Sequence, residues 1–154
     1  MRAGAGCGRI GAGDSMKQLT HEFEIRTQGQ GLYDFTGEVV AWIASARITT
    51  GLLTLHSRHT SASLLIQENA DPDVLRDLET FFRKLVPEDA SLYRHSDEGP
   101  DDMPSHIRTA LTQTTLSIPI SRGAPALGTW QGIHLYEHRR APHRRCVSAH
   151  IIGD

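Results

Sequence analysis

From Gly51 to Thr60 the chain reads Gly-Leu-Leu-Thr-Leu-His-Ser-Arg-His-Thr, an alternation that suits an extended strand with one buried face. Strand side chains point to opposite sides in turn, so residues of equal parity share a face. Leu53 and Leu55 define the buried side, and His59, four residues beyond Leu55, falls on it. An imidazole aimed at a core needs a hydrogen-bonding partner. This stretch therefore fixes part of a sheet and sets a question. Either His59 is a core histidine satisfied locally, or other ionisable groups point inward beside it.

The remaining elements follow from the same periodicities. Lys17 to Thr27 alternates, with Leu19, His21, Phe23 and Ile25 on one side, and Gly29 and Gly31 interrupt it. Phe35, Val39, Trp42, Ile43 and Ala46 recur at helical spacing, with Asp34 or Thr36 at the start. Ser63 to Gln67 reads as a strand. Asn69-Ala-Asp-Pro is a helix entry, with Asp71 as the cap and Pro72 in the first turn, where its missing N–H costs nothing. That helix carries a stripe of Val74, Leu75, Leu78, Phe81, Phe82 and Leu85, and Pro87 ends it. Residues 88–102 read as a polar loop. A short helix from Met103 to about Thr112 is expected to bury Met103, Ile107, Ala110 and Leu111, with His106 on the same stripe. Strands follow over Thr114–Ile120 and Gly128–Arg139, and a last one carries Arg145, Val147, Ala149 and Ile151 on one face. In the strand before it, Ile133 and Leu135 share parity with Glu137.

Composition narrows the classes. A chain of 154 residues suits one domain with its own core. Lys plus Arg is 16 against 18 Asp plus Glu, a net charge of -2 that gives no global field for nucleic acid. There is no apolar run long enough to cross a bilayer. Cys7 and Cys146 are too few for a disulfide framework or a Cys-rich metal site, which favours a reducing, cytoplasmic setting. Residues 1–15 are Gly-rich without periodicity and are expected to be a disordered tail, leaving 16–154 as a single domain. Nine histidines are the compositional outlier.

Three of the inward positions are ionisable: His59 at a strand end, His106 on a helix stripe and Glu137 on a strand. Each alone has an ordinary explanation as a core histidine or a salt-bridged rim carboxylate. Together they are costly to bury unless they satisfy one another or bind something. Two imidazoles and a carboxylate also form the ligand set of an open, three-coordinate Zn-type site. Glu98 or His95 is then the candidate general base. Arg139, Arg140, Arg144 and Arg145 flank the turn Ala141-Pro142-His143. Arginine suits phosphate or carboxylate, although Arg139 and Arg140 read more simply as solvated. Asp101 and Asp102 suit either Mg2+ coordination or capping of the next helix, with capping favoured for one of them. Ser57, Ser61 and Ser63 lack the nucleophile elbow and oxyanion signature of a serine hydrolase.

The segments His59-Thr-Ser-Ala-Ser, Glu68-Asn-Ala-Asp-Pro, Asp101-Asp-Met-Pro-Ser-His106 and Gly128-Thr-Trp-Gln-Gly-Ile, with the Glu137 and Arg144-Arg145 that follow, resemble the YjbQ family, also called secondary thiamine-phosphate synthases. The resemblance runs from about Lys17 to Gly153. It implies an α+β fold on a mixed, strongly curved, barrel-like β-sheet with two to three helices, assembled as a homotrimer. It places His59, His106 and Glu137 in one pocket, with Asn69, Glu98, Trp130, Gln131 and Arg145 nearby. After Glu137 the chain departs from many relatives, which leaves open which Arg faces that pocket. The implied activity joins hydroxymethylpyrimidine diphosphate to thiazole phosphate, with Arg144, Arg145 and an Asp-held Mg2+ on the leaving diphosphate and no organic cofactor. The histidines have no evident need in that step, so a Zn-dependent hydrolase at His59, His106 and Glu137 stands beside it. A non-catalytic trimer that binds a metal or a phosphorylated small molecule is the third reading.

Overall fold

The computed structural model describes residues 16–154, so the tail expected over residues 1–15 lies outside the described residues. Eight strands and three α-helices follow in the order β1 (Lys17–Arg26), β2 (Gly31–Asp34), α1 (Thr36–Ala46), β3 (Thr50–Ser57), β4 (Ala62–Glu68), α2 (Pro72–Leu85), α3 (Asp102–Leu111), β5 (Thr115–Ser121), β6 (Ala124–Pro125), β7 (Gln131–Glu137) and β8 (Arg144–Gly153). A single 3-10 turn, Ala90–Leu92, interrupts the loop before α3. The α+β class is as expected, with all strand pairing antiparallel and split between two sheets. One has the order β1-β8-β3-β5-β6 and the other β2-β7-β4.

Local chemistry accounts for most boundaries. Asp71 accepts a hydrogen bond from Asp73 N at 2.9 Å, with Pro72 in the first turn, so α2 starts where its sequence places it. At α1 the Asp34 carboxylate accepts from both Thr36 N and Thr36 Oγ1. Strand β8 alternates strictly, burying Arg145, Val147, Ala149, Ile151 and Gly153. Strand β2 is four residues long and sits between glycines, too short for a periodicity to reveal. Strand β7 begins later than expected, because the Gln131 side chain accepts from Gly128 N while the Gln131 backbone N–H donates to Gly128 O, which closes a turn there.

The core lies on the inner faces of both sheets and under α1, with Phe23, Val39, Ile43, Leu53, Leu55, Leu64, Ile118, Ile133, Leu135, Val147 and Ile151 among its members. The two other helices depart from their expected roles. No residue of α2 is fully buried, and Phe81 and Leu85 of its apolar stripe are 57% and 54% exposed. Helix α3 buries Asp102, Pro104, Ser105, Arg108 and Thr109 rather than the stripe of Met103, Ile107, Ala110 and Leu111. Leu111 is largely exposed. The face of α3 that packs inward is polar because it meets buried charges, and hydrophobic periodicity is blind to such a face.

Candidate functional site

The end of β7 carries the first polar centre. Glu137 is fully buried and each of its oxygens is in use. Arg145 donates from Nε to Oε2 at 2.6 Å and from Nη2 to Oε1 at 2.5 Å, Thr27 Oγ1 donates to Oε2 at 2.9 Å, and Arg139 N donates to Oε1 at 2.9 Å. Burial by itself raises the carboxyl pKa. The Arg145 guanidinium, the Arg139 N–H and the Thr27 hydroxyl outweigh it and hold Glu137 below its ordinary value. Arg145 also donates to Ser61 Oγ at 3.1 Å. This centre is a satisfied buried ion pair.

His59 lies close by and is half-buried. Its Nε2 accepts the Cys146 N–H at 2.7 Å, which assigns the ring proton to Nδ1. Burial, then the positive charge of Arg145, lower its pKa and keep it neutral. The expected metal set of His59, His106 and Glu137 is therefore not assembled. The His59 nitrogen lone pair is spent on backbone, Glu137 on Arg145, and His106 belongs to another group.

That other group is His95, Asp102 and His106. Their ligand atoms lie within 4.8 Å of one another, the one such group of three His, Cys, Asp or Glu side chains among the described residues. His95 Nε2 is 2.7 Å from Asp102 Oδ2, and His106 Nε2 is 3.5 Å from the same oxygen. Asp102 and His106 are four residues apart and share a face of α3, while His95 comes from the preceding loop. His106 Nδ1 is 3.0 Å from the Thr60 carbonyl, an acceptor that fixes the proton on Nδ1 and leaves Nε2 to face Asp102. The chain thus ties both neighbourhoods together at His59-Thr60-Ser61. Asp102 is buried, and its Oδ1 is paired with Arg139 Nη1.

Arg139, read from the sequence as solvated, is instead the brace of this region. Its side chain is 14% exposed, and it also donates from Nε to Asp101 Oδ2 at 3.1 Å and from Nη2 to Glu98 O at 2.8 Å. Asp101 accepts Arg140 N at 2.9 Å as well. Burial raises the Asp101 pKa, and these donors outweigh it and lower the carboxyl overall. Asp101 occupies the position before α3 but makes no side-chain capping bond, so the expected cap is not formed. Glu98 is exposed and faces Arg139 at 3.6 Å, leaving no buried general base there.

The expected substrate residues do not converge on this region within one chain. Glu137 pairs with Ala62 at one end of the β4–β7 ladder, whereas Gln131 pairs with Glu68 at the other. Six strand steps put roughly 20 Å between these ends. Asn69 donates its backbone N–H to Trp130 O at that far end, and Trp130 is 63% exposed. Arg144 points out to pair with Glu24 on β1. Asp102 and Arg139 are the residues that the sequence reading missed as partners. The four-residue spacing of Asp102 and His106 was the available signal.

Fold and site together define a curled antiparallel α+β domain with a two-histidine, one-aspartate cluster at the start of its third helix. The chain belongs to the family described as UPF0047 protein YjbQ-like, whose model matches residues 21–154. It is 52% identical over 145 residues to a UPF0047 protein of Synechocystis, covering 94% of this chain and 99% of that one. It is 41% identical to the UPF0047 protein YjbQ of Escherichia coli O157:H7 over 131 residues, 84% and 94% of the two chains. Among solved structures, an uncharacterised YjbQ/UPF0047 protein of Clostridium acetobutylicum superposes with a TM-score of 0.78 at 32% identity, covering 85% and 98% of the chains. A YbjQ-like protein of unknown function from Sulfolobus solfataricus gives a TM-score of 0.83 at 20% identity, covering 91% and 100%, which speaks to the fold alone.

These relatives overturn the thiamine-phosphate synthase expectation. They are described by family and as uncharacterised or of unknown function, with no such activity among them. The geometry runs the same way, since Arg145 is consumed by Glu137 and Arg144 faces Glu24. No helix among the described residues is long and apolar enough to cross a membrane.

Proposed function

We propose that the protein functions through a divalent transition metal held by His95, Asp102 and His106. The reading is carried by one observation, three ligand atoms of a suitable set gathered within 4.8 Å. Two imidazoles and a carboxylate suit Zn2+ or a related ion. Bonds of about 2.0–2.1 Å in a tetrahedral shell put ligand atoms roughly 3.3 Å apart. The 3.5 Å between His106 and Asp102 is near that, and the 2.7 Å between His95 and Asp102 opens slightly once the His95 proton leaves.

The surroundings support this assignment. The Thr60 carbonyl orients His106, and Arg139 takes one oxygen of Asp102 while the other faces the histidines. Three protein ligands leave a coordination position for water or an exogenous ligand, and the exposed His95 puts that position at the surface.

The experiment is a titration of the purified protein with Zn2+ and Co2+, read by calorimetry and by the cobalt d–d spectrum. One equivalent binds, and Asp102→Asn or His106→Gln weakens binding by about 10- to 100-fold or more, while His59→Gln leaves it unchanged. Equal binding by Asp102→Asn and the parent, or equal loss in His59→Gln, sinks the assignment. Self-association is proposed alongside it, because the α2 stripe is half uncovered at Phe81 and Leu85. The homotrimer is the stoichiometry to look for.

A further inference from the structure

Arg108 stands on α3 two residues beyond His106, turned away from the metal cluster, and its function is untouched by the reading above. The side chain is 1% exposed. Its Nη2 donates to Val86 O at 2.9 Å, but Nε and Nη1 have no hydrogen-bond partner among the described residues. The nearest carboxylate oxygen, Glu79 Oε1, is 4.0 Å from Nη1 and already accepts Arg83 Nε at 2.8 Å. A buried guanidinium with two idle nitrogens is rare, because each buried donor left unpaired is destabilising.

Arg108 is also one of the residues that line a neighbouring cavity of about 500 Å3, with Gln30, Arg83, Pro87, Glu88 and Arg140. Three arginines meet there, from α2, α3 and the turn before β8. Against them stand two carboxylates, Glu79 and Glu88, so the region carries one surplus positive charge. Glu88 is itself engaged, receiving the Gln30 amide at 3.0 Å on one oxygen and Arg140 on the other. Arg140 is 63% exposed along its side chain and is free to turn between Glu88 and a ligand. Guanidinium forks match tetrahedral and planar oxyanions through paired N–H bonds. Three of them converging leave one guanidinium more than the two carboxylates balance, which fits the several acceptor oxygens of a phosphate.

We propose that this cavity is a binding site for a phosphate group, free or carried on a small molecule, with Arg108 at its floor and Arg83 and Arg140 at its walls. The volume accommodates a phosphorylated metabolite of modest size. The site is separate from the metal cluster and does not depend on it. It also differs from the arginines that the sequence suggested, since Arg144 and Arg145 are both spent elsewhere.

The test is calorimetric titration of the full chain with inorganic phosphate and, separately, with glycerol phosphate, at an ionic strength held constant with chloride. One saturable site is expected, tighter for the ester if the natural ligand is a phosphorylated metabolite and tighter for the free ion otherwise. Arg108→Met weakens binding at least about tenfold. Glu88→Gln and Arg140→Gln shift affinity in opposite directions, tighter and weaker by several fold each. These two sit at the cavity wall and decide the matter if Arg108→Met fails to fold. No saturable binding of either phosphate above the chloride control, an unchanged affinity in Arg108→Met, or equal affinities in Glu88→Gln and Arg140→Gln overturns the proposal.

Discussion

Removing Arg145 distinguishes a structural Glu137 from a liganding one. In Arg145→Met the carboxylate loses donors at 2.6 Å and 2.5 Å and keeps only Thr27 Oγ1 and Arg139 N. Breaking a buried pair by removing one partner leaves an uncompensated charge and costs about 3–5 kcal/mol near neutral pH. The pH dependence carries the sharper signature. In the parent, the folded-state pKa of Glu137 is depressed, so its contribution is present above the ordinary value of 4.5 and is lost as pH falls through the folded value. In the variant, burial acts with far less opposition and the pKa rises, so the folded state takes up a proton more readily than the unfolded chain. The gap between variant and parent is then widest near neutral pH and narrows as pH falls. Urea unfolding across that range measures it, and Glu137→Met/Arg145→Met recovers much of the loss by removing the orphaned charge. A gap below about 1 kcal/mol, or one independent of pH, refutes the reasoning. Stoichiometric metal binding retained by the double variant agrees with a structural Glu137.

Burial, then the charges of Arg108 and Arg145, push His138 down to about 3, so it folds neutral. The unfolded chain binds that proton from about pH 6.5 downward, and stability falls there by up to about 1.4 kcal/mol per pH unit for this group. His138→Gln flattens that slope in a pH series of denaturation midpoints. Gly51→Ala drives its new Cβ into the Ile152 carbonyl across the β3–β8 ladder, and a loss of about 2 kcal/mol or more is expected in thermal unfolding. Phe81→Glu/Leu85→Glu, read by light scattering, lowers the assembly state if α2 is a contact face and leaves the monomer's circular dichroism intact. An unchanged mass assigns the contact elsewhere.

Which side of a strand faces a core, and where a helix starts, are local properties, and the sequence determined them. Parity grouped Arg145 with Val147, Ala149 and Ile151, the face of the last strand that is buried, and Asp71-Pro72 placed the start of α2. Its resemblance to the YjbQ family also held over nearly the whole chain. The partner of each inward charge was beyond reach, because pairing joins residues far apart in sequence. Glu137 could be read as buried, but not that Arg145 and Thr27 would use its oxygens. His106 could be read as turned from solvent, yet its mates are Asp102 and a loop histidine rather than His59. The inward face of α3 is polar and looks like a surface until Val86, Thr60 and Arg139 are seen against it. Periodicity reports that a face is covered. Only the tertiary structure decides what covers it, and a buried ionisable group becomes a structural pair or a candidate ligand according to that neighbour.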